Sequence, residues 1–224
     1  VVFGRFGAGG RKVARAESAD CVHFDAPQLV FECDEVDEAG TQFYGMPLDL
    51  YEGLYLGMPW IYREGVDGTI DTSLATSRDG VRWERVLDRQ TFLSLGPEGG
   101  WEDGMARITQ RFVTVGEQIY LYYGGVAGAH TGAKFKQVQR RHQPMLGLAT
   151  LRRDGFVSLD AGDEEGFALS KPMRVAGEEL HVNVDAARGQ LIVALADDKG
   201  NPLPNYISAP IAVDQTDAPV HFSQ

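Results

Sequence analysis

The tripeptide Trp101-Glu102-Asp103 sets two carboxyl groups beside an indole, just before an alternating run that opens at Met105. Acids at the lip of a strand can divide proton-transfer work. A carboxyl kept protonated donates, and one kept ionised accepts or attacks. Arg107 follows Asp103 by four residues, which on a strand is the same face. A guanidinium there either clamps a ligand carboxylate or pairs with Asp103 and merely holds the strand. Asp49, within the alternating run from Met46, is the third candidate acid. His130, in the loop after Tyr122-Tyr123-Gly124-Gly125, is a candidate ligand contact. Each has a plainer alternative. Gly96–Gly104 is as rich in glycine and acids as an ordinary solvated turn. Trp101 and Tyr123 suit core packing, and His130 suits an exposed loop. Glu52 reads as a hairpin-turn residue.

The elements that must position these groups come from an internal repeat. Ala14–Phe24 (ARAESADCVHF) lies on Ser73–Trp83 (SLATSRDGVRW) at an offset of 59 residues. Ala16 falls on Ala75, Ser18 on Ser77, Asp20 on Asp79, and Phe24 on Trp83. At the same offset Gly45-Met46 falls on Gly104-Met105, and Phe43-Tyr44 falls on Glu102-Asp103. One copy offers acids where the other offers aromatics, as expected of a site grafted onto a repeat. Gly147–Leu159 (GLATLRRDGFVSL) is a fainter third copy. The intervening stretch from Val126 to Pro144 reads as a long linker.

Turn signals separate short alternating runs, and no 3.6-residue period is sustained. Strands are predicted at about Met46–Leu50, Tyr55–Tyr62, Thr69–Ser77 and Arg82–Leu87. A further set is predicted at about Met105–Val115, Gln118–Gly124, Pro144–Leu151 and Phe156–Leu159. Asp79-Gly80 is read as a tight hairpin turn, with Ser77 bonding across the hairpin and Trp83 packing between sheets. The role assigned to Asp79 is structural. After Leu159 the runs KPMRV, ELHVNVDA, QLIVALAD and APIAV predict further strands. They are joined by an Ala-Arg-Gly hairpin and a Pro-rich loop, as in a β-sandwich. The expected architecture is all-β: a partial β-propeller of about two to three blades over residues 1–158, then a small β-sandwich over 159–224.

The chain has 224 residues and a formal net charge of −11. That charge argues against nucleic acid and anionic membrane as partners, and permits a neutral or cationic ligand. No apolar run approaches the roughly 18 residues of a membrane span. Cys21 and Cys33 are too few for a disulfide framework and are read as two buried free thiols. Ligand clusters with metal spacing are absent, so no metal or cofactor is expected. The glycine-rich start FGRFGAGGRK lacks the strand–turn–helix context of a nucleotide site.

These features resemble the five-bladed β-propeller glycoside hydrolases of bacteria, the arabinanase, xylosidase and invertase-type group, whose propeller is often followed by a β-sandwich. The likeness rests on Ser77-Arg78-Asp79-Gly80 with Trp83, FYGMPLDLY, WEDGMARIT, LYYGG and LGLATLRRDGFVSLDAG. It implies carboxylates gathered at a central funnel, with Asp103, Glu102 and Asp49 as the candidates here. It implies Arg107, His130, Trp101 and Tyr123 as substrate contacts. The likeness lacks the first blade, which normally supplies the base or nucleophile. About two and a half blades leave apolar flanks open, so either a longer protein or association of copies is expected to cover them. Three functions follow: a glycoside hydrolase, a non-catalytic carbohydrate-binding module, or a structural repeat protein that oligomerises.

Overall fold

The computed structural model describes residues 1–7, 9–109, 111–131, 143–174 and 177–222. It is all-β, with several sheets and none closed. Two compact units divide it: residues 1–113 with 120–150, and residues 114–119 with 151–224.

In the first unit, β1 (Val2–Phe6), β2 (Lys12–Ala16) and β3 (Gln28–Phe31) form an antiparallel sheet in chain order. The largest sheet begins at β4 (Thr41–Phe43). A second, four-stranded sheet is built from β5 (Leu48–Tyr51), β6 (Leu54–Gly57), β9 (Ala75–Ser77) and β10 (Glu84–Arg85). Its spatial order is β10-β9-β6-β5. The largest sheet also takes β7 (Trp60–Arg63), β8 (Ile70–Ser73), β12 (Met105–Ile108) and β14 (Gln118–Val126), in the order β14-β12-β8-β7-β4. Alongside run β11 (Thr91–Leu93) on β8 and β15 (Met145–Arg152) on β14. β13 (Val113–Val115) pairs with β14.

Two runs predicted as single strands each serve two sheets. Tyr55–Tyr62 divides into β6 and β7 at Met58-Pro59, and Thr69–Ser77 divides into β8 and β9 at Leu74. Pro59 has no N–H to donate, so the ladder lapses there. Its carbonyl still accepts from Ser73 N–H at 3.0 Å. Met105–Val115 likewise splits into β12 and β13. Arg82–Leu87 shortens to β10 followed by a turn at Leu87–Arg89, where three non-glycine residues hold positive φ. Arg89 anchors that turn through paired bonds to Asp34 at 2.6 and 2.7 Å.

The repeat predicted from sequence has a matching geometry in its first two copies. Asp20 Oδ1 accepts N–H bonds from Val22 and His23 at 2.9 and 2.8 Å. Asp79 Oδ1 accepts from Val81 and Arg82 at 2.8 and 2.8 Å. Ser18 and Ser77 bond Asp20 and Asp79 at 3.0 and 3.1 Å. The next residue is left-handed in both, Cys21 at φ 61° and Gly80 at φ 71°. The turn is wider than a two-residue hairpin: Ser77 closes β9, and β10 resumes only at Glu84. Ser77 bonds inside the turn and not across the ladder. Trp83 packs edge-on to Phe3 at 5.9 Å and lies 6.2 and 6.4 Å from Phe31 and Tyr55, between two sheets. Phe24, its counterpart, is exposed. In the third copy the left-handed residue is Asp154 itself, so that turn has a different shape.

Phe43, Ile61 and Val13 form one core cluster, and Tyr62, Ile70, Met105 and Val126 form another. Each fully buried side chain of this size contributes about 1.5–3 kcal/mol. A charged staple supports the first cluster. Arg85 and Asp37, both less than a tenth exposed, form an ion pair, and Arg89 reaches Asp37 at 3.3 Å. The cysteines are both free, but only Cys33 is half-buried, while Cys21 is exposed on its turn.

The second unit pairs β16 (His181–Asp185) with β19 (Asp214–Pro219), and β17 (Ala194–Ala196) with β18 (Pro202–Ile207). Isolated bridges join Leu191 to Ile211 and Ser208 to Phe222. β18 falls on the stretch predicted as a Pro-rich loop, and Ala-Arg-Gly does not join paired strands. Lys171–Arg174 and Phe156–Leu159 are not strands, and Val175 lies outside the described residues. Among the described residues no helix is long and apolar enough to cross a membrane.

Candidate functional site

The register of the largest sheet assigns each candidate to a face. β12 and β14 run antiparallel, with Met105 opposite Val126, Ala106 opposite Gly125, Arg107 opposite Gly124 and Ile108 opposite Tyr123. Directly opposed residues share a face. Met105 and Arg107 therefore point one way, and Ala106, Ile108, Tyr123 and Gly125 point the other. β7 and β8 extend the pattern: Trp60 and Tyr62 go with Ile70 and Thr72, and Ile61 goes with Asp71.

The acidic face holds Glu102. The Tyr123 hydroxyl donates to Glu102 Oε2 at 2.7 Å. Trp101 stacks on Tyr123, with centroids 5.8 Å apart and planes inclined by 23°. A Cβ on Gly125 would lie 2.2 Å from a Trp101 ring carbon and 2.9 Å from the Glu102 Cβ, so the strand must be bare there. Burial, then the hydrogen bond to Glu102 and its charge, push the Tyr123 hydroxyl up to about 12. Tyr123 thus stays a neutral donor.

Asp71 shares this face and was not singled out from the sequence. Its Oδ2 pairs with Arg63 at 2.9 Å and accepts from the Thr91 hydroxyl at 2.9 Å. Its Oδ1 is buried with no partner among the described residues. Met105 sits opposite Ile70, so Asp71 lies beside Ala106, whose other neighbour is Gly125 under Glu102. That is two strand spacings, on the order of 10 Å. The available signal was the run Thr69–Ser73, whose four polar side chains are buried, three of them within β8.

Asp103 serves the loops. Its two oxygens accept N–H bonds from Gly99 at 2.8 Å and Gly128 at 2.7 Å. It precedes β12 and does not pair with Arg107, because it stands in the turn, where strand alternation has not begun. Asp49 accepts from Leu50 N–H at 2.9 Å and lies 3.7 Å from Arg111.

The opposite face is cationic and aromatic. Arg107 lies over Trp60 at 5.3 Å, and burial pushes its guanidinium down from the usual value. Trp60 is fixed by an indole N–H bond to the Ile108 carbonyl at 2.8 Å and by Gly45, where a Cβ would meet its ring at 2.8 Å. The His130 ring sits edge-on to Tyr44 at 4.9 Å and Tyr62 at 5.3 Å, and the His130 backbone N–H donates to Gly68 O at 2.7 Å. Glu102 with Trp101 and Tyr123, and Arg107 with His130, thus form two groups on opposite faces. Among the other histidines, His23 bonds Asp20 at 2.7 Å, and His142 lies outside the described residues. Among the described residues no group of three or more His, Cys, Asp or Glu side chains could hold a metal ion.

No protein-family model matches this chain, and no curated protein does. Among solved structures, one described as a glycoside hydrolase is 14% identical over 73% of this chain and 42% of its own, with a TM-score of 0.48. An N-acetylgalactosamine deacetylase from F. plautii, solved with blood group B trisaccharide, is 17% identical over 64% and 42%, with a TM-score of 0.47. A family 117 glycoside hydrolase from the marine bacterium Zobellia galactanivorans is 14% identical over 96% and 56%, with a TM-score of 0.48. The chain therefore spans between 42% and 56% of the length of these three structures.

Proposed function

We propose that this chain belongs to a glycoside-hydrolase-like protein that engages carbohydrate, with Glu102 as its acid. The sheets are taken as two to three propeller blades over residues 1–158, followed by a β-sandwich over 159–224. The observation that carries the reading is the Glu102 carboxyl, held at one oxygen by a neutral tyrosine beside an indole. Its other oxygen is left for a glycosidic oxygen, the geometry a proton donor needs. Asp71, paired with Arg63, is a second carboxylate on the same face. Asp103 positions the two glycine loops, and Asp49 is the outlying acid of the set.

Binding without hydrolysis is the second reading, and one observation favours it. Both oxygens of Asp103 are engaged by backbone donors, and Asp49 faces Arg111, so a second reacting carboxylate is not at hand. A panel of aryl glycosides decides between them. Hydrolysis that falls at least about 100-fold in Glu102→Gln supports the enzyme. Saccharide retention with no turnover supports the binding module, and neither result sinks both.

A further inference from the structure

The whole chain carries 32 acidic and 21 basic side chains, yet three arginines stack on aromatic rings of the face opposite Glu102 with no carboxylate paired to them among the described residues. Arg11 lies over Tyr44 at 4.9 Å and over Tyr62 at 5.3 Å, and Arg5 lies over Tyr44 at 5.4 Å. Arg107 covers Trp60 at 5.3 Å. Among the described residues none of the three forms an ion pair. Arg11 donates instead to the neutral Gln42 at 2.7 Å. Glu64, the acid on this flank, is engaged by Gln42 and by the Tyr62 hydroxyl. The Arg107 Nε is buried without a hydrogen-bond partner.

Arg107 is half-buried, and a partly desolvated guanidinium without a counter-ion carries a cost. Stacking on an aromatic face offsets only part of that, about 0.5–2 kcal/mol. The arrangement gains its counter-ion once an oxyanion accepts from the terminal guanidinium nitrogens, because the guanidinium fork fits two oxygens of one group. Trp60 also borders a cavity of about 240 Å³ whose lining includes Arg5, Lys12, Gly45 and Met46. That volume is below the usual range for a drug-sized ligand and suits a single sugar unit. Lys12 is paired with Glu32, so Arg5 is the cation this cavity can offer.

We propose that this face, where Arg5 and Arg11 stack on Tyr44 and Arg107 on Trp60 beside the cavity, binds the oxyanion of an acidic sugar, a uronate carboxylate or a sulfate ester. This rests on the carbohydrate reading above and narrows it to a substrate class. The net charge of −11 favours neutral or cationic ligands at long range. This face inverts that preference locally, where screening is weakest.

The test is calorimetric titration of the whole chain with uronate-containing and sulfated disaccharides, with their neutral counterparts, and with sulfate and acetate alone. The expected result is binding of one acidic class at least about tenfold tighter than its neutral counterpart, a ratio that collapses in Arg107→Gln. The uronate and sulfated arms identify the source of the oxyanion. Should Arg107→Gln fail to fold, Arg5→Gln, at an exposed position, must reduce the same ratio. Neutral sugars bound as tightly as acidic ones overturn the proposal and leave the carbohydrate reading standing. Sulfate or acetate bound as tightly as the acidic sugars overturns the sugar half of it. No saccharide binding at all overturns both.

Discussion

Gly124 and Gly125 are neighbours on β14 whose side-chain directions oppose each other, so alanine at each should have opposite consequences. A Cβ at Gly125 would lie 2.2 and 2.8 Å from Trp101 ring carbons and 2.9 Å from the Glu102 Cβ. The indole is already stacked on Tyr123 and cannot yield on that side. Overpacking of this kind costs about 1–3 kcal/mol. Removing a glycine from a strand returns about 0.5–1 kcal/mol, leaving a net loss centred on about 1 kcal/mol. At Gly124 the nearest atom is Thr109 Cγ2 at 3.4 Å, an ordinary contact, so only the gain remains. With a urea slope of about 2 kcal/mol/M, Gly125→Ala should unfold about 0.5 M earlier than the parent. Gly124→Ala should unfold at the same concentration or slightly later. Gly125→Ala should also shift tryptophan emission and weaken whatever Glu102 does. Equal shifts for the two variants would refute the assignment of faces on which the site rests.

Two further outcomes follow from buried charge and buried thiol. Burial, with the Asp37 charge behind it, pushes the Cys33 thiol up to about 12, whereas Cys21 is exposed. A thiol reagent at pH 8 should therefore label one cysteine per folded chain and two after unfolding; equal labelling in the folded state contradicts this. Asp37→Ala strands Arg85 and should cost about 3–5 kcal/mol by denaturant titration, most of it recovered on adding Arg85→Met. No recovery would mean that the pair matters through something other than uncompensated charge.

The turns were legible from sequence because their chemistry is local. The Ser two residues before the Asp, and the N–H groups two and three residues after it, are all within one short stretch, although the width of the turn was not legible. What depended on other strands was not legible. Pro59 divides two strands between sheets, an effect visible only once Ser73 is known to bond its carbonyl. Arg107 was counted from Asp103 by strand alternation, but Asp103 stands in a turn and Met105 opens the strand, so the count began too early. Nothing in Ile-Asp-Thr-Ser itself marks Asp71, whose burial depends on the strands beside it. β18 and β19 were missed because PLPNYI and DQTDAP lack an apolar period; both are largely exposed and so need none.

The most direct test is a glycan array probed with the intact chain, its Glu102→Gln and its Arg107→Gln variants. The account predicts retention of a saccharide subset enriched in acidic sugars, reduced by Arg107→Gln and kept by Glu102→Gln. A parent chain that retains no saccharide above background would contradict it.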